Sequence, residues 1–285
     1  MSFDADTALE PVGPGRWRAQ LHERWSVARG PNGGFVGALA ARAAEAAAER
    51  PLRSLTTQFL EAPDPGPVDV IATVEREGGS TSAVSVRIER DGRPTALALA
   101  TLGAWREGEA EWQDAEMPAV PPPEEAFRLD PSRNGIPAFV GNYDMRWAIG
   151  KPPRTGRSEA EGRSAGDGLT GGWVRTAVPR AVDAPRIVAF ADCWFPAAYA
   201  RLGAVVAAPT LDLSVYVRSP LPPPGMGPDD FVFGVFRTRW GAGGLWEEDG
   251  ELWSPDGVLL AQSRQLALVR NTGASEVRGA GEGAG

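Results

Sequence analysis

The chain repeats itself. Across its 285 residues, a helix, a strand ending in x-Pro, two further strands, an Asp-Gly turn and a last strand come twice in the same order. Ala62-Pro63 matches Ser219-Pro220, 157 residues later, and Asp91-Gly92 matches Asp256-Gly257, 165 residues later. The difference of 8 residues places an insertion near "GAGGLWEED" at 241–249. A helix with an antiparallel sheet long enough to wrap it is an α+β layer unit. Two copies in one chain pair as two identical subunits would, giving an internal pseudo-dimer.

The element assignments rest on local patterns. In "PNGGFVGALAARAAEAAAERP" Asn32 caps a helix, alanine sustains it and Pro51 stops it. "SLTTQF" reads as a strand, and "PVDVIATVEREGG" and "TSAVSVRIERDG" alternate apolar and polar residues before "RPTALALATL". Residues 1–31 read as irregular apart from "RWRAQL". In the second copy, "GNYDMRWAIG" and "GGWVRTAVP" are strands flanking a long loop, "KPPRTGRSEAEGRSAGDGLT". "APRIVAFADCWFPAAYARLGA" is a helical segment, and "PTLDLSVYVRSP", "DDFVFGVFRTRW" and "VLLAQSRQLALV" are strands. The divisions expected are a first unit over 1–115, an acidic, Pro-rich linker over 116–137, a second unit over 138–271 and a disordered tail over 272–285.

Composition closes several routes. A net charge of −8 argues against a nucleic-acid partner. "MSFDADTALEP" lacks the basic and apolar regions of a secretory signal, and no apolar run approaches the ~20 residues of a membrane span. The single cysteine, Cys193, forms no internal disulfide, so a cytoplasmic location is expected. The single histidine, His22, leaves too few ligands for a Cys/His zinc site, and there is no G-x-S-x-G elbow or phosphate-binding glycine loop. No metal is expected.

Aligning the copies picks out polar residues with no counterpart. Gln265 falls on Ala100, Thr210 on Arg53 and Asp192 on Phe35. One half thus carries chemistry and the other supports it. Each residue also has a plain structural role. Gln265 shares a strand face with Ala261, Ser263 and Ala267. Thr210 shares the solvent face of its strand with Asp212, Ser214, Tyr216 and Arg218, opposite the core stripe Leu211, Leu213, Val215, Val217. Asp192 fits a helix N-cap, with Cys193 first in the helix and Pro196 in its first turn.

"FADCWFP", "PTLDLSVYVRSPLP" and "WSPDGVLLAQSRQLAL" resemble the acyl-CoA thioesterase II family, and "NGGFVGALAARAA" and "LTTQFLEAPDPG" resemble its first half. The resemblance implies a double hot-dog fold in which Asp192, Thr210 and Gln265 hold the hydrolytic water. It departs at "SLTTQF", where better-known bacterial members are His-rich, and at the loop "KPPRTGRSEAEGRSAGDGLT"; both bear on specificity rather than on the reaction. Asp192 is then the general base, and a helix N-terminus would favour its ionised form. Thr210 and Gln265 orient the water. Gly33 and Gly34 are candidate oxyanion or substrate-binding positions. Phe35, Phe59, Trp194 and Phe195 are candidates to line an acyl tunnel, and Arg53, Arg218 or Arg264 to meet the phosphates of coenzyme A. The implied partner is an acyl-CoA or acyl-carrier thioester, with no cofactor, in a homodimer or higher homo-oligomer. The competing expectation is a hot-dog protein that binds acyl-CoA or acyl chains without hydrolysing them. A hot-dog hydratase would need a histidine, and His22 lies outside the motifs; a bare assembly module would turn over no thioester.

Overall fold

The computed structural model describes residues 2–106, 108, 110–151, 166–203 and 205–269. The first copy contains α1 (Phe3–Asp6), β1 (Glu10–Gly13), β2 (Arg16–Leu21), α2 (Gly33–Ala48), β3 (Leu52–Phe59), β4 (Gly66–Glu77), β5 (Ser82–Arg90) and β6 (Arg93–Leu102). The second contains β7 (Phe127–Arg128), β8 (Tyr143–Ile149), β9 (Leu169–Thr176), α3 (Ala184–Phe190), α4 (Ala197–Leu202), β10 (Thr210–Val217), β11 (Val232–Arg237), β12 (Gly241–Ala242), β13 (Leu245–Trp253) and β14 (Leu259–Leu268).

β3 and β10 lie side by side at the centre of one antiparallel sheet. Moving outward, β6, β5, β4 and β2 follow on one side, and β14, β13, β11 and β9 on the other. The chain visits the two sides in the same order, as the duplicated landmarks predict. β1 extends one edge, β8 and β7 the other, and β12 pairs with β13 where the insertion was expected. This is the double hot-dog α+β architecture.

α2 forms because its composition offers little to oppose it. The Asn32 carboxamide oxygen accepts the Phe35 N–H at 3.1 Å, and the helix ends at Glu49 in a left-handed turn (φ 53°) whose N–H bonds to the Glu45 carbonyl. Its small buried residues, Ala38, Ala40, Ala41, Ala43 and Ala44, let it lie close against β3, β4, β5 and β6. Leu55, Val70, Val84 and Ile88 meet it from the sheet as part of the same core.

The second copy departs from the first in its helix. The single helical segment expected around Asp192 is two short helices, α3 and α4, with a break at 191–196. Pro196 cannot donate a helical hydrogen bond and serves as the N-cap of α4, while Asp183 caps α3. Asp192 is therefore not the helix N-cap expected; it lies in the break.

The linker is less free than its composition suggests. β7 falls inside 116–137 and pairs with β8, Ala126 and Leu129 are buried, and the Trp173 indole N–H donates to the Pro121 carbonyl at 2.9 Å. Residues 152–165 of the expected loop and the expected tail 272–285 lie outside the described residues.

β9 approaches β8 closely at Gly172. A Cβ there would stand 2.0 Å from the Arg146 carbonyl oxygen and 2.6 Å from the Trp194 ring. Backbone cannot yield as a side-chain tip can, so Gly172→Ala should destabilise the protein by about 1–3 kcal/mol or more. Chemical denaturation measures this; an unchanged midpoint would show that β8 and β9 can separate there.

Candidate active site

A β-bulge decides where Thr210 points. Simple alternation places it on the solvent face with Asp212 and Ser214. In the structure the register of β10 against β14 shifts between Thr210 and Asp212, with Thr210 opposite Ala267 and Leu213 opposite Gln265. The extra residue reverses the phase of the strand, so Thr210 joins the inward face that carries Leu213 and Gln265. Its hydroxyl donates to the Gln265 side-chain oxygen at 2.8 Å. Gln265 is buried, and its expected face-mates Ala261, Ser263 and Ala267 are buried too. Gln262 and Arg264 serve the opposite face of β14, where Gln262 accepts from Arg218 at 3.0 Å and Arg264 forms a two-pronged ion pair with Asp249.

The equivalent bulge in the first copy separates Leu52 from Ser54 against β6, with Leu52 opposite Leu102 and Leu55 opposite Ala100. Thr210 therefore corresponds to Leu52, one residue from the expected Arg53, whereas Gln265 corresponds to Ala100 as expected.

Asp192 reaches across the duplication. Its Oδ2 accepts the Gly34 N–H at 2.9 Å and the Asn32 side-chain N–H at 3.1 Å, while Asn32 also donates to the Asp192 carbonyl at 2.8 Å. The helix N-terminus facing Asp192 is thus that of α2, in the other half. Burial raises the carboxyl pKa to about 6, outweighing these bonds and the Gly33 amide, which lower it. Gly33 and Gly34 stand where expected, yet their amides are turned on Asp192 rather than on an open substrate position. A Cβ on Gly33 would come within 2.9 Å of Asp192 Oδ2 and 3.0 Å of the Phe59 ring, so the carboxylate needs a glycine there.

The fourth member of the cluster is Glu248. On β13 it lies directly opposite Gln265, only 4 % exposed. Its Oε1 accepts the Gln265 side-chain N–H at 2.6 Å and its Oε2 accepts the Ala197 N–H at 2.5 Å. Burial first, with repulsion from Asp192 and Glu247 adding to it, raises its pKa to about 8. Thr210, Gln265 and Glu248 form one hydrogen-bonded chain, and Asp192 acts on its far end through charge. Asn32 and Glu248 were not singled out from sequence as site residues. Alternation held the signal for Glu248: it is in phase with the buried Trp246, Gly250 and Leu252.

The aromatic candidates divide. Phe35 is fully buried and stacks on Trp25 at 4.7 Å, a core role. Phe59 borders Gly33 beside Asp192. Trp194 and Phe195 both pack on Trp147. Arg264 is committed to Asp249, and Arg53 lies over the Trp105 ring at 4.3 Å, its pKa lowered by burial and by the charge of Arg218. A cleft of about 500 Å³ beside Ser219, Pro224, Met226 and Val258 contains none of the three expected catalytic residues. Among the described residues, no cluster of His, Cys, Asp and Glu could hold a metal ion, and no helix is long and apolar enough to cross a membrane.

Residues 21–103 match the model of the acyl-CoA thioesterase N-terminal domain, and residues 114–269 that of the C-terminal domain. The chain belongs to the acyl-CoA thioesterase family. An uncharacterized protein of Mycobacterium tuberculosis is 29% identical over 304 residues, spanning 94% of this chain and 98% of its own. A hot-dog protein of unknown function from Alicyclobacillus acidocaldarius superposes with a TM-score of 0.81 at 26% identity, covering 94% of this chain and 98% of that one. The tesB protein of Mycobacterium avium subspecies paratuberculosis shares the fold, with a TM-score of 0.76 at 22% identity over 94% and 98% of the two chains. One matched range falls within each copy of the duplication, the second also running through the expected linker.

Two buried carboxyls with raised pKa values make the fold bind protons more tightly than the unfolded chain does. Their contribution is complete below the unfolded values near 4 and is lost as pH rises through about 6 for Asp192 and about 8 for Glu248. Unfolding free energy should therefore decline from pH 5 to 9, by a few kcal/mol for groups so enclosed. Glu248→Gln should flatten the part of that decline above pH 7. Urea titrations at pH 5, 7 and 9 test this; parallel curves for the two proteins would show that Glu248 is not destabilised by ionisation.

Proposed function

We propose that this protein hydrolyses acyl-CoA thioesters by direct attack of water, with Asp192 as general base and Thr210 and Gln265 orienting the water. The observation that carries the proposal is the pairing of a bulge-directed Thr210 with a buried Gln265 inside a family whose domains are thioesterase domains. A thioester carbonyl is attacked when water loses a proton as its oxygen bonds to carbon; the tetrahedral intermediate then collapses and expels the thiolate. A carboxylate near pKa 6 is ionised at neutral pH yet basic enough to take that proton. The water has two hydrogens to place. One goes to Asp192, and in the arrangement seen, with Gln265 donating to Glu248, the Thr210 oxygen gives its own hydrogen to Gln265 and is free to accept the other.

The substrate is an acyl-CoA or an acyl thioester on a carrier, and the active form is a homo-oligomer in the cytoplasm. The exposed Leu97, Leu99 and Tyr216 on the outward face of β6 and β10 support self-association.

The test is release of free thiol from acyl-CoAs of short to long chain. Asp192→Asn should fold, bind and lose about 10²–10⁴-fold in kcat, the range general-base catalysis supplies. In the wild type, kcat/KM should rise with pH through about 6 as Asp192 ionises. Binding of the whole panel without thiol release would instead support the non-hydrolytic acyl-CoA-binding alternative.

A further inference from the structure

We propose that Glu248 is a positioning residue for hydrolysis, fixing which way round the Gln265 carboxamide faces and, through it, the direction of the Thr210 hydroxyl. This rests on the hydrolase proposal above. A carboxylate has no hydrogen to give. Glu248 Oε2 takes the Ala197 N–H, a backbone donor that cannot be reversed. Its Oε1 must then also receive a hydrogen, so Gln265 presents its N–H₂ to Glu248 and its oxygen to Thr210. Thr210 can only donate to that oxygen, which leaves its lone pairs for the water.

Protonation reverses the chain. A neutral Glu248 still accepts from Ala197 through one oxygen but has a hydrogen on the other, and Gln265 must turn its oxygen toward it. Gln265 then offers N–H to Thr210, and the Thr210 hydroxyl hydrogen points at the water rather than away from it. The groups acting on Glu248 are Asp192 from the break between α3 and α4, and Glu247 beside it on β13. Tyr199 of α4 also feels its charge. Arg264 and Asp249 pair with each other on the opposite face of the sheet. With burial and two acids against it, Glu248 gains its proton as pH falls through about 8. Hydrolysis should therefore respond to two ionisations, Asp192 and then Glu248.

Glu248→Gln separates the states. The oxygen of the introduced carboxamide must face the Ala197 N–H, because its N–H₂ would oppose another donor there. That N–H₂ then faces Gln265 and locks the reversed arrangement at every pH. A second variant, Glu248→Gln with Gln265→Glu, restores the original direction. The new carboxamide at position 248 donates to the new carboxylate at position 265, and Thr210 donates to that same carboxylate, with the total charge unchanged.

The experiment measures kcat and KM from pH 6 to 9.5 for the wild type and both variants, using an acyl-CoA that the wild type turns over. Alongside it, the Gln265 side-chain amide resonance of the wild type and of Glu248→Gln is followed by NMR over the same range. At pH 9, Glu248→Gln should lose about tenfold in kcat with KM little changed, the size expected for one misdirected hydrogen bond. The gap should close toward pH 7, and the double variant should recover activity at pH 9. The amide resonance should titrate near pH 8 in the wild type and not in Glu248→Gln. Wild-type kcat in Glu248→Gln at all pH values, or a double variant no better than the single, would overturn the proposal. Absence of hydrolysis by the wild type would overturn the hydrolase proposal instead, and the amide titration would still decide whether Glu248 sets the orientation of Gln265.

Discussion

The site depends on one contact between the halves of the duplication, the Asp192 carboxylate held on the first turn of α2. The acid comes from the second copy, and the amide of Gly34 and the side chain of Asn32 come from the first. Neither half alone can hold this group. A carboxyl buried without donors would remain protonated and could not serve as a base near neutral pH. The N–H groups at a helix start are already oriented and lack intrahelical partners, so they stabilise the ion without any rearrangement. The break between α3 and α4 lets Asp192 turn toward α2; a continuous helix would hold residue 192 in a regular turn.

Duplication also explains why the candidate site has no counterpart at the matching position of the first copy. At the pseudo-equivalent position the first copy has Leu52 for Thr210 and Ala100 for Gln265, both buried in the apolar core. The strand backbones at this position match, including the bulge. What differs is side-chain chemistry on a shared frame, which is how function is commonly added to a fold. The first half keeps the long helix and its capping asparagine, the parts Asp192 needs.

The order of elements was legible in the sequence because it rests on local signals: Asp-Gly turns, alternation and an alanine-rich helix between Asn32 and Pro51. The duplication followed from that order. The face of Thr210 was not legible, because strict alternation assigns it to solvent and one bulged residue reverses the assignment. A bulge leaves little mark in a single sequence when neither of its residues is glycine, as with Thr210 and Leu211. The break at 191–196 was partly legible: Pro196 is visible, but helices tolerate proline in the first turn, so it equally suits a helix starting at Asp192. Glu248 was legible and missed. It sits among Glu247, Asp249 and Glu251, and a run of acids looks like a solvated face until its phase is compared with Trp246 and Leu252.

Two carboxyls in one enclosed cluster impose an order on their titration. Each charge opposes the other, and burial opposes both, so the group with stronger donors ionises first. Asp192 has three hydrogen-bond contributions from Asn32, Gly33 and Gly34; Glu248 has two, from Ala197 and Gln265, and bears the repulsion of Asp192 besides. The difference sorts equivalent chemistry into distinct roles. The acid that ionises first has the charge a base requires. The one that ionises later hydrogen-bonds the neutral amide of Gln265 and the Ala197 N–H, so its state is expressed as the direction of a hydrogen bond rather than as a proton taken from water. Such pairs, pushed apart in pKa by their surroundings, are a recurrent way of assigning separate tasks to like groups. Here the sheet register does the sorting, since β13 delivers Glu248 opposite Gln265 and not opposite Asp192.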